Sequence, residues 1–167
     1  MLNELKARLQ QALLWLKTQK PMPEPTQNAL KIYQTAKSAL GTSLVTDGAP
    51  QALGCAITVW NVVFKATGTK IGGVPIESTT TLYQMLLSSP SFESVTLEQA
   101  GEGDIIISPT GYAPNKLAHG HTGIVGNFGI LSNNSEDGLL EENYTKQSWN
   151  NYFGVSRGFP VICFRML

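Results

Sequence analysis

From Cys55 to Thr67 the chain runs without a glycine or proline, and Ile57, Val59, Trp60, Val62, Val63, Phe64 and Ala66 leave almost no polar face. A helix that is apolar nearly all round has to be buried inside a domain. The rest of the chain must therefore supply elements that cover it on several sides. Gly54 precedes this helix and Gly68 ends it, so Cys55 stands at the first turn of the most buried segment. At 167 residues the chain fits one domain and can bury a core without disulfides or a structural metal. Its 42% hydrophobic and 14% charged residues are those of a folded globule, not of a disordered segment.

The covering elements can be read in order. Leu2, Leu5, Leu9, Leu13 and Leu16 recur at helical spacing, which predicts an amphipathic helix over 2–19 that packs on its own domain. The prolines of "PMPEP" at 21–25 stop it, so 1–25 read as helix and connector and 26–167 as the main domain. Thr26 can cap a second helix reaching about Leu40, with Leu30, Tyr33, Ala36 and Leu40 facing inward. Ser78 or Thr79 can cap a short helix carrying Leu82, Met85 and Leu86. Strands are expected in "GDIIISP" (103–109), in a hairpin of 121–126 and 129–133 turning at Asn127-Phe128, and in the closing "GFPVICFRML". Thr145 can cap a short helix between them. Helices first and antiparallel strands after them define an α+β fold with N-terminal helices packed on one side of an antiparallel sheet.

Several function classes drop out. The formal net charge is zero and the pI is near 6.7, whereas a protein built to hold a phosphate backbone carries a basic excess. No apolar run approaches the roughly 18 residues of a membrane span. Glu4, Lys6 and Arg8 interrupt the N-terminal leucines, unlike a secretory signal. The chain is thus expected to be cytoplasmic on synthesis and to reach any outside substrate by release or non-classical export.

Two residue types carry chemistry. A thiol is only slightly ionised at neutral pH unless a helix N-terminus or an adjacent imidazole stabilises its anion. Cys55 has the helix start. Cys163, within "PVICF", reads as a small buried hydrophobe. The only histidines are His119 and His121, at the mouth of one strand, where His121, Gly123 and Val125 share a face. A zinc site would need three or four ligands, and neither a third histidine nor a C-x-x-C is present. No metal or cofactor is expected. The G-x-S-x-G elbow of a serine hydrolase is absent. Trp60 and Trp149 read as core residues in preference to groove residues.

Taken in order, "LGCAITVWNVV", "GDIIISP", "GHTGIVG" and "GILSNNS" resemble the NlpC/P60 and CHAP families of papain-like cell-wall peptidases and amidases. The likeness covers roughly 41–165. It implies a papain-like fold, Cys55 as nucleophile, His121 as base, and on the next strand a polar residue that orients the imidazole, which the family spacing puts at Asn133. A three-residue hairpin turn sets Asn133 opposite His121, whereas a two-residue turn sets Asn134 there. Gln51, Asn134 and His119 stand beside the triad as candidate oxyanion or substrate residues. "GCAI" replaces the commoner "DCSG" or "CTW" contexts, and Asn stands where these families more often carry His or Glu. The implied activity is hydrolysis of amide bonds in bacterial peptidoglycan through a thioester. Another acyl transfer (a transamidase, deamidase or toxin) and a non-catalytic wall-binding module are the alternatives. Substrate choice is expected to lie in loops 68–80 and 109–119.

Overall fold

A computed structural model describes residues 4–11, 24–45 and 54–167. The architecture is mixed α and β, with a six-stranded, wholly antiparallel sheet in the order β1-β6-β2-β3-β4-β5. Helix α1 covers 4–11 and is exposed throughout, with Leu5 and Leu9 at 69% and 64%. Over its described part it does not pack on the domain as the leucine spacing suggests; the other residues of the expected 2–19 helix lie outside the described ones.

Helix α2 (Gln27–Ser38) begins where the sequence places it. The Thr26 hydroxyl accepts from the Ala29 N–H at 3.0 Å and donates to the Met166 carbonyl at 2.6 Å, pinning the helix start to the last strand. Its inner face is Ala29, Ile32 and Ala36, one residue round from the expected stripe. Close approach to the sheet is the cause. Gly103 has φ +84, and a Cβ there would fall 1.7 Å from the Ala29 carbonyl oxygen, so the contact tolerates only the smallest residues. Helix α3 (Cys55–Thr67) and α4 (Thr79–Ser88) complete the layer, the latter burying Leu82 and Leu86 and leaving Met85 partly exposed.

The strands are β1 (Phe92–Val95), β2 (Ile105–Ser108), β3 (His121–Val125), β4 (Ile130–Asn133), β5 (Leu140–Tyr144) and β6 (Ile162–Met166). Alternation along them divides the interior in two. Ile105, Ile107, Ile124, Leu131, Phe164 and Met166 face α2, α3 and α4, where they meet Val59, Trp60, Val62 and Val63. Ile106, Val125, Ile130 and Cys163 face the other way. That second face is not bare, as a one-sided helix layer would leave it. Helix α5 (Lys146–Trp149), closed by a Thr145–Ser148 capping box, runs into a π-helical stretch (Asn150–Ser156) that lays Trp149 and Phe153 over it. Trp60 and Trp149 are both core, their indole N–H groups donating to the Ile71 carbonyl and the Ser108 hydroxyl.

One buried ion pair fastens the middle of the sheet. Arg165 on β6 donates twice to Asp104 at the head of β2, at 3.0 and 2.7 Å, and once to the Gln99 carbonyl at 2.9 Å. The Gly101 N–H adds a third bond to the Asp104 carboxylate. With both residues almost fully buried, removing either partner leaves an uncompensated charge.

Candidate active site

The site forms where the first turn of α3 meets the first residues of β3. Gly54 has no side chain with which to cap α3. The Cys55 sulfur is set among three backbone donors, its own N–H, that of Ala56, and that of Thr122, the residue directly after His121. Helix start and strand start are thereby joined at one sulfur atom. The donors draw the thiol pKa down, but burial outweighs them, and the group is pushed up from 9.0 to about 11.

His121 is held by rings. Its imidazole stacks on Trp149 at 5.4 Å and on Phe153 at 5.8 Å between centroids, with the edge of Tyr144 at 6.2 Å. The side chain follows Gly123 and Val125 onto the face that carries Trp149 and Phe153. Burial among these rings brings its pKa down from 6.5 to about 4. Between those two values both groups are uncharged, and their side chains are not brought together: the imidazole lies on the Trp149–Phe153 face of the sheet, α3 packs on the other, and each residue borders a different cavity. No hydrogen bond joins the sulfur to either histidine among the described residues. Desolvation disfavours the charged form of each group.

Hairpin register decides between the two asparagines. Val125 pairs Ile130, Gly123 pairs Ser132, and the Gly126 N–H closes on the Gly129 carbonyl at 2.7 Å around a two-residue turn. One step further Asn133 falls opposite Thr122, on the face of Leu131 and α3, and Asn134 falls opposite His121. The register therefore corrects the expectation that Asn133 shares the histidine's face. Asn133 is buried on the α3 side, and its amide donates to the Asn134 carbonyl at 3.2 Å. Asn134 is committed elsewhere, donating to Glu141 at 3.0 Å and accepting from the Glu136 N–H at 2.9 Å. Gln51 lies outside the described residues.

Two cavities open here, and His119 and Gly120 line both. Cys55 borders one of about 210 Å³ together with Glu77, Ser78, Thr79 and Thr110. His121 borders the other, of about 500 Å³, with Asn133, Asn134 and a rim of tyrosines and charged groups. The wall of the first is braced by short bonds. Thr79 and Thr110 hydroxyls meet at 3.0 Å, Thr80 donates to the Thr110 carbonyl at 2.8 Å, and the Gly120 N–H donates to the Thr110 hydroxyl at 2.9 Å. Gly120 is required by that approach, since a Cβ would fall 2.0 Å from the Ser108 carbonyl oxygen. Loops 68–80 and 109–119 thus both reach the cavity beside Cys55, although Glu77, Thr79 and Thr110 carry no motif that singles them out beforehand. Cys163 is fully buried in the second core. Among the described residues no three metal-ligating side chains gather.

No family model matches the chain, and no curated protein matches it.

Proposed function

We propose that this chain is a papain-like cysteine hydrolase that cuts amide bonds in bacterial cell-wall peptides, with Cys55 as nucleophile and His121 as base. The observation that carries the proposal is the meeting of the uncapped α3 start and the β3 start at the Cys55 sulfur. The order of motifs along the sequence supports it.

The chemistry follows from the resting charges. Because imidazole and thiol are both neutral, His121 acts as a general base, accepting the thiol proton as sulfur attacks the amide carbonyl. At rest the imidazole is stacked on the face of the sheet opposite α3, so this reading requires the start of β3 to turn the ring toward the sulfur when substrate enters. The Cys55 and Ala56 N–H groups, which at rest point at the sulfur, would pass to the tetrahedral oxyanion once the sulfur has bonded to carbon. His121 then returns the proton to the leaving amine, and water hydrolyses the thioester. The test is mass spectrometry of purified sacculi treated with wild type and with Cys55→Ala. New free amines with wild type alone are expected. Unchanged sacculi with both would sink the cell-wall reading.

A further inference from the structure

We propose that His119 is the base of the second half-reaction, taking a proton from the water that hydrolyses the Cys55 thioester. This rests on the reading of the chain as a cysteine amide hydrolase, and it adds a second catalytic imidazole to the one assigned above.

Cys55 and His119 border the same cavity of about 210 Å³, which has room for several waters. His121 borders the other cavity and keeps its ring against Trp149 and Phe153, on the far face of the sheet. His119 is exposed, so it stands where the Cys55 cavity opens to solvent. Among the described residues its ring makes no hydrogen bond and stacks on no other ring, which leaves its nitrogens to water. The chain on either side of it is held. The Gly120 N–H donates to the Thr110 hydroxyl at 2.9 Å, and the Ala118 N–H donates to the Asn115 carbonyl at 3.1 Å.

His121 reaches the sulfur only when substrate enters, and the amine half of that substrate has left before water attacks. The second step therefore draws on a base already beside Cys55. Besides His119 the cavity wall offers Glu77, and an imidazole is better matched than a carboxylate to proton transfer near neutral pH. His119 takes the proton as the water oxygen adds to the thioester carbonyl carbon. The C–S bond then breaks, sulfur leaves with the bonding pair and recovers the proton from the imidazolium, and the carboxylic acid departs.

Acetylation of the full-length chain with p-nitrophenyl acetate tests this. After the ester is removed, intact-mass spectrometry follows loss of the acetyl group from Cys55, with Cys55→Ala locating the adduct. His119→Gln should acetylate as fast as wild type and hold the thioester about a hundredfold longer, the scale of general base catalysis. Deacetylation of wild type should rise with pH and level off once the imidazole is neutral, whereas that of the variant should climb with hydroxide throughout. Such a change of pH profile reports a lost base, which a merely structural change does not produce. Slower acetylation of the variant, thioester lifetimes within about twofold of wild type, or a plateau that survives in the variant would overturn this proposal alone. A wild-type chain that never acetylates at Cys55 would overturn the hydrolase reading and this proposal with it.

Discussion

The ring-stacked imidazole makes His121 an acid-sensitive element of the fold. Its pKa is brought from 6.5 to about 4 by burial against Trp149 and Phe153, so the folded state holds the neutral ring and resists protonation. A depressed value gives stability that is fully present above about 6.5, fades as pH falls, and is gone below about 4. Each pH unit in that window weighs about 1.4 kcal/mol, so roughly 3 kcal/mol is at stake between pH 7 and pH 4. Urea unfolding at pH 7, 6, 5 and 4.5 measures it, with His121→Phe as the comparison because a phenyl ring can fill the same stack without titrating. Wild type should lose stability with a slope near 1.4 kcal/mol per pH unit below pH 6, and the variant should be flatter by that amount. NMR titration of the ring protons, assigned with His119→Gln, gives the pKa directly. An imidazole titrating near 6.5, or identical slopes for both proteins, would refute the reasoning.

The Cys55 thiol, raised from 9.0 to about 11, should alkylate with iodoacetamide about a hundredfold more slowly at pH 7 than an unperturbed thiol in a Cys163→Ala background, with the rate still climbing above pH 9. A rate plateau below pH 7 would instead mark a preformed thiolate–imidazolium pair. Asp104→Ala strands a buried guanidinium and is expected to cost 3–5 kcal/mol by urea unfolding, order of magnitude ~4; a loss under about 1 kcal/mol would show that the pair adds little. Gly120→Ala forces backbone apart at the Ser108 carbonyl and should destabilise by about 2 kcal/mol or more, while Gly101→Ala, whose added Cβ meets nothing nearer than the Arg165 guanidinium at 4.0 Å, serves as the control without a clash.

The parts legible in the sequence are those where one physical demand dominates. The α3 segment has no polar face and so could only be buried, and Thr26 and Thr145 cap helices because their hydroxyls answer exposed N–H groups. The edge strands β1 and β5 gave no comparable pattern. In "LEENY" only Leu140 is buried, and "FESV" offers one buried residue at its start. Inward orientation of α2 was off by one residue because Leu30 and Tyr33 outweigh Ala29 in any count of apolar groups, while the contact with Gly103 selects for smallness. Asn133 and Asn134 exchange faces with a single residue of turn length, and the neighbouring glycines at 126 and 129 allow either turn. The lowered basicity of His121 was least visible, since its burial depends on Trp149 and Phe153, distant from it in sequence.

The missing cap at Gly54 has a consequence for selectivity. With sulfur and backbone donors built into one turn of a rigid helix, any carbonyl that arrives at Cys55 meets both together, and the helix itself cannot discriminate among acyl groups. On the proposed reading, rejection of wrong substrates falls to the threonine-braced wall from Glu77 to Thr110 and to the rim beyond His121. Exchanging those loops should redirect the chemistry without disturbing the turn that performs it.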